Sequence, residues 1–177
     1  GIDSFFGVPD SLMSDLSKYL EFENEENIKH VITQNEGSAV GMAIGNFLST
    51  KTPSAVYLQN SGLGNIVNPL ASLASDKVFS IPILLIIGWR GEPNTKDEPQ
   101  HDFQGEITLE QLKLLNINYI ILNTNEDIDI QQIKQTLDKN KSIALIIKKN
   151  YFKKDVRKFS SNHNKLSRVE VIKYLLE

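Results

Sequence analysis

The sequence contains no cysteine, which excludes a disulfide framework, a thiolate zinc site and a thiol nucleophile, and agrees with a reducing cytoplasm. It has no excess of positive charge: 19 Lys and Arg stand against 22 Asp and Glu, for a formal charge of −3. Nucleic acid would therefore meet no basic footprint. No apolar run approaches the ~20 residues needed to cross a bilayer, so no membrane partner is expected. There are only three histidines, and no two have metal-ligand spacing. His30 reads as a strand-edge residue and His163 as a connector residue. Neither a Rossmann fingerprint nor a phosphate loop is present, because a third glycine and a Gly-Lys-Ser/Thr ending are missing. There is no internal repeat. What remains is a chain of 177 residues, enough for one domain with a real core, and a small-molecule partner is expected. The first residue is not Met, and Gly1 to Phe6 reads as a strand rather than a signal peptide, so the native chain is expected to start earlier.

Short β-prone runs occur at 4–8, 29–33, 54–58, 81–87, 118–122 and 142–148, with helical patterns between them. That alternation predicts an α/β fold of three layers, with a parallel sheet covered on both faces. The run 81–87 is unbroken in apolar character, as a strand buried on both sides requires, and Pro82 lies near its beginning. A helix is predicted after Pro9-Asp10, with Asp10 or Ser11 as its cap and Leu12, Met13, Leu16, Tyr19 and Leu20 on its apolar stripe. The next spans about 36–48 and places Gly37, Gly41 and Gly45 four apart. Each glycine weakens an exposed helix by ~1 kcal/mol relative to Ala, so close packing against another backbone is expected there. Thr108-Leu109-Glu110-Gln111 and Ser167-Arg168-Val169-Glu170 fit the capping-box pattern of helix starts. Residues 148–165 read as a solvated connector. The apolar Val169, Ile172, Leu175 and Leu176 of the last helix need cover, either from a following domain or from the sheet itself.

Three polar segments sit where an apolar strand ends, which implies one shared site. The first is Gln34-Asn35-Glu36-Gly37. Glu36 is either an ordinary first-turn acid, favoured by the helix dipole by roughly 0.3 to 1 kcal/mol, or a carboxyl desolvated beside a ligand nitrogen and useful as acid or base. The second is Gln59-Asn60-Ser61-Gly62-Leu63-Gly64-Asn65, whose glycines allow a tight helix-entry turn and also a close backbone approach to a ligand. Pro69 beyond it costs little if it falls in the first helical turn. The third is the twice Pro-interrupted stretch from Gly88 to His101. Arg90, Lys96 and His101 are its candidates for an anionic substrate. Glu92, Asp97, Glu98 and Asp102 outnumber them, as in a solvated loop held by surface ion pairs.

Taken together, Phe6-Gly7-Val8-Pro9-Asp10-Ser11, Asn35-Glu36-Gly37, Gln59 to Leu70, and Gly88-Trp89-Arg90-Gly91-Glu92-Pro93 with Lys96-Asp97-Glu98-Pro99-Gln100-His101 resemble the phosphonopyruvate decarboxylase family. The likeness covers most of residues 1–147, and the last segment is its most specific part. The resemblance implies the thiamine-diphosphate-binding fold of the pyrimidine-binding type, with a six-stranded parallel sheet. It implies thiamine diphosphate as cofactor, bound between this domain and the diphosphate-binding domain of a neighbouring subunit, in a homo-oligomer that is at least a dimer. Mg2+ and the diphosphate would be held by that second domain, since this chain has no Gly-Asp-Gly segment followed by Asn. By position, Glu36 resembles the family glutamate that hydrogen-bonds the aminopyrimidine ring and is the catalytic residue. Val8, Pro9, Asp10, Gly62, Gly64 and Asn65 would also meet the cofactor. Asn60, Ser61, Arg90, Lys96 and His101 would meet a 2-oxoacid substrate bearing a second anionic group. The implied reaction converts 3-phosphonopyruvate to phosphonoacetaldehyde and CO2, in the cytoplasm. Residues 1–150 would form the pyrimidine-binding domain, 151–166 a connector, and 167–177 the start of a second domain, as in a truncated chain inactive alone. Two alternatives stay open: a sulfopyruvate or other 2-oxoacid decarboxylase subunit, and a noncatalytic binding or regulatory module of the same fold.

Overall fold

The computed structural model describes residues 1–23, 28–123, 128–153 and 173. Six strands, β1 (Ser4–Gly7), β2 (Lys29–Ile32), β3 (Ser54–Gln59), β4 (Ile83–Gly88), β5 (Asn118–Leu122) and β6 (Ile143–Ile147), form one sheet in the order β2-β1-β3-β4-β6-β5. Every pairing is parallel. The helices are α1 (Ser14–Glu23), α2 (Glu36–Thr50), α3 (Leu63–Pro69), α4 (Pro99–Leu114) and α5 (Ile130–Asp138). The expected α/β architecture with a six-stranded parallel sheet is the one observed.

Side chains alternate between faces along a strand. In the central strands both sets are apolar, so each face finds a helical layer. Val56, Leu58, Leu85 and Ile87 face Ala39, Val40, Ala43 and Ile44 of α2, Leu63 and Ile66 of α3 and Leu112 of α4. Ala55, Tyr57, Leu84 and Ile86 face the other way, toward Met13 in the short 3-10 turn before α1, Leu20 of α1 and Leu137 of α5. The edge strands β2 and β5 are only partly buried. Among the described residues no helix is long and apolar enough to cross a membrane.

Several local expectations give way. β4 starts at Ile83, because Pro82 has no N–H to add to the ladder. Tyr19 is 46% exposed, so the buried stripe narrows to Met13 and Leu20. Among the described residues, the close packing expected of the α2 glycines holds at Gly37, where an added Cβ would lie 3.1 Å from the Asn65 carbonyl, while Gly41 and Gly45 face open space. Pro69 is the last residue of α3, not part of its first turn. It has no N–H to offer Asn65, and the chain relaxes into a wider π turn, Leu70–Ala74. Thr108 starts no helix: α4 begins with Pro99, whose fixed φ suits the first turn. The Thr108 hydroxyl donates back to the Gln104 carbonyl at 2.7 Å in mid-helix. The second capping-box segment, the connector beyond residue 153 and, apart from residue 173, the last helix lie outside the described residues.

Candidate functional site

A parallel sheet brings all its C-terminal strand ends to one edge. The chain leaves β1 for the α1 face and β3 for the opposite α3 face, so a crevice opens between them, the usual place for a ligand in open α/β sheets. Glu36 reaches this crevice as the first residue of α2. Asn35 caps the helix by accepting the Ser38 N–H at 2.9 Å, which points the next side chain outward from the positive helix end. The amide of Asn65 donates to Glu36 Oε2 at 2.7 Å. A Cβ on Gly62 would stand 2.5 Å from Glu36 Oε1, so the carboxylate lies in the space a side chain would fill. Glu36, Gly62 and Asn65, widely spaced in sequence, thus form one cluster. Gly64 is exposed, and a Cβ there would meet nothing within 4 Å among the described residues.

Val8 hydrogen-bonds the Tyr57 carbonyl through its N–H at 3.1 Å, and Pro9 is exposed beside it. Asp10 turns inward, with 7% exposure. Its Oδ2 accepts the Leu12 N–H at 3.1 Å, and a Cβ on Gly88 would come within 2.5 Å of it. Burial pushes the Asp10 carboxyl above its usual range, while the Leu12 N–H, Arg90, the Ser11 N–H and His101 pull it back.

On the β4 side the loop closes on itself. Arg90 Nε donates to Asp97 Oδ2 at 2.8 Å, Nη2 to Asp97 Oδ1 at 2.5 Å, and Nη1 to Ser11 Oγ at 2.8 Å. These hydrogen bonds hold the Asp97 carboxyl far below the usual carboxylate range, against the opposing effect of burial, and the N–H groups of Gly91 and Glu98 add to them. A depressed carboxyl stabilises the fold fully above its unfolded value of 3.8, and the stabilisation is lost as pH falls through the folded value. Asp10, raised rather than depressed, works against the fold once ionised and relieves that cost on protonation. We therefore expect Asp97→Asn to flatten the acid limb of stability between about pH 5 and pH 2 in thermal unfolding. An unchanged limb would contradict the pairing.

Asn60, expected to face substrate, is fully buried. Its amide donates to the Arg90 carbonyl at 2.8 Å and to Thr108 Oγ1 at 2.9 Å, and its Oδ1 accepts the Arg90 N–H at 3.1 Å. That side chain ties the β3 end to the loop and to α4 rather than lining the crevice. Ser61 is exposed and accepts a hydrogen bond from Gln59. Lys96 is exposed on the loop. His101 lies in the first turn of α4, close enough to Asp10 to act on its charge. Sequence reasoning missed Ser11, Asp97 and Thr108 as network members. Asp97 had a signal, an acid between two prolines shortly after an arginine, but Glu98 shared it.

Residues 1–114 match the family model described as "Thiamine pyrophosphate enzyme, N-terminal TPP binding domain". The chain belongs to this family. It is 35% identical over 127 residues to the phosphonopyruvate decarboxylase of Streptomyces viridochromogenes, covering 72% of this chain and 31% of that protein. It is 32% identical over 127 residues to the sulfopyruvate decarboxylase subunit alpha of Methanococcus maripaludis, covering 72% of each. With the same subunit of Methanothermobacter thermautotrophicus it shares 38% over 120 residues, 67% of this chain and 68% of that one. The chain thus spans about a third of the length of the phosphonopyruvate decarboxylases it matches. The Glu36 cluster fits the group this family is named for. A half-buried carboxylate has Asn65 as its one partner among the described residues, which leaves an oxygen to accept from a heterocycle N–H, and Gly62 keeps the space below it clear.

Proposed function

We propose that this chain is the pyrimidine-binding part of a thiamine-diphosphate-dependent decarboxylase acting on 3-phosphonopyruvate. A diphosphate-binding domain of a neighbouring subunit, in a cytoplasmic homo-oligomer, would complete the site and hold Mg2+ and the diphosphate. The observation that carries this reading is the Glu36 carboxylate poised over Gly62 and oriented by Asn65. Bound thiamine diphosphate supplies the carbon nucleophile and electron sink of 2-oxoacid decarboxylation. Glu36 would hold or yield a proton at a ring nitrogen with Asn65 fixing its carboxyl, and Val8, Pro9 and Asp10, in the turn after β1, would help to hold the ring. Lys96 and His101 offer cations to the substrate's anionic groups, and phosphonoacetaldehyde and CO2 leave.

A second reading, sulfopyruvate as substrate with a separate partner subunit, is favoured by the longer share of the sulfopyruvate decarboxylase alpha subunits that the chain covers. A substrate panel on the assembled enzyme decides between them. We expect phosphonopyruvate to exceed sulfopyruvate in kcat/KM by about tenfold or more, as a built anion site discriminates. The reverse order would overturn the substrate, and turnover by this chain alone would overturn the shared site.

A further inference from the structure

Three acids punctuate the loop after β4, and Asp97 differs from its neighbours Glu92 and Glu98 in having every bonding direction taken. Oδ1 accepts from Arg90 Nη2 and from the Glu98 N–H at 2.9 Å; Oδ2 accepts from Arg90 Nε and from the Gly91 N–H at 2.8 Å. The two side chains retain only 18% and 13% of their exposure, so this is a two-pronged ion pair largely out of water. Arg90's remaining nitrogen is bound to Ser11, and its backbone N–H and carbonyl are both bound to Asn60. Glu92 is paired with Lys148 at 2.6 Å. A substrate anion could recruit this guanidinium only by displacing a carboxylate already held beside it within the same chain. Lys96 has no such partner among the described residues.

We infer that Asp97 is a positioning residue: acting through Arg90, it clamps the loop 89–98 to Ser11 and so fixes the Asp10 side of the crevice, leaving the substrate's second anion to Lys96 and His101. The contact with Ser11 spans 79 residues of sequence and joins the turn after β1 to the loop after β4. Asp10 directly precedes Ser11, and its carboxyl occupies the space above Gly88 at the root of the same loop. A shift of the clamp therefore moves the turn after β1 and the loop after β4 together. The kinetic consequence rests on the decarboxylase reading; the clamp itself does not.

The test is a double-mutant cycle on the assembled enzyme with Arg90→Gln, Asp97→Asn and both together. Steady-state kinetics are read at low temperature, where all variants are folded, on phosphonopyruvate and on pyruvate, which lacks the second anion. We expect each single change to lower kcat/KM on both substrates by about tenfold, with the double variant no worse than either single, as for two residues acting as one unit. Lys96→Ala should raise KM for phosphonopyruvate alone. If Arg90→Gln raises KM only for phosphonopyruvate while Asp97→Asn behaves like the unaltered enzyme, Arg90 is a substrate ligand and the inference fails. Additive losses also overturn it. Should the unaltered enzyme turn over only sulfopyruvate, the cycle is read on that substrate; should it decarboxylate none of the three, the decarboxylase reading falls, and the cycle is read in thermal unfolding. There non-additive losses support the clamp and additive losses refute it.

Discussion

On the proposed decarboxylase reading, Glu36→Gln is expected to lower the rate of the assembled enzyme by about 10²- to 10⁴-fold, the range contributed by a positioned acid or base. The amide keeps the shape and can still accept from Asn65, but it can neither take nor give a proton. Folding should be almost unaffected, within about 0.5 kcal/mol, because the helix cap belongs to Asn35 and Glu36 is only partly buried. Gly62→Ala is a companion change that acts without touching the carboxyl's chemistry. Its Cβ would meet Oε1 at 2.5 Å and the Cδ and Cγ of Glu36 at 2.6 Å, so the flexible side chain must swing away and give up Asn65. Single-turnover rates and melting curves on both variants separate chemistry from stability. A normal rate for Glu36→Gln would remove this carboxyl from the mechanism.

Gly105→Ala produces the largest loss of stability. A Cβ at this position of α4 would lie 1.6 Å from the Gly91 carbonyl oxygen, 2.1 Å from its carbon and 2.8 Å from the Arg90 oxygen. All three are backbone atoms, and the loop they belong to is pinned by Asn60 and Asp97. Neither side can yield by rotating a bond. Gly91 itself has φ of 66°, and a side chain there would strike the His101 carbonyl at 1.9 Å. The expected cost is about 3 kcal/mol or more, beyond ordinary overpacking. For a chain of this size that lowers the melting temperature by roughly 6–12 °C. Trp89, the one tryptophan, donates its indole N–H to the Gly105 carbonyl at 2.9 Å. Its fluorescence should therefore change with the loop. A loss below about 1 kcal/mol would mean that α4 and the loop are less rigid than their contacts indicate.

The layers were legible because the central strands are apolar on both faces along most of their length and their helices carry one apolar face each. Helix limits were less so. Thr108 matches a helix start in local pattern, yet Pro99 had already begun the helix, and burial against Asn60 gave the threonine another task. Tyr19 fits the α1 stripe by spacing but lies beyond the reach of the sheet. At the site, Glu36 could be placed from the Asn-Glu pair at a strand end. Its meeting with Gly62 could not, because that depends on how β3 and α2 lie together in space. The arginine of the loop was read as available since its acidic neighbours were counted as a group. Only the fold singles out Asp97 as its partner and Asn60 as the tie beneath it.

Order β2-β1-β3-β4-β6-β5 also sets the Glu36 carboxyl and the loop after β4 on different supports. One hangs from α2 and the turn after β3, the other from β4 and α4, and Asn60 is the stitch between them. On the proposed reading, a lineage can rewrite the loop to greet a phosphonate or a sulfonate while the coenzyme's cradle stays untouched, provided the stitch survives.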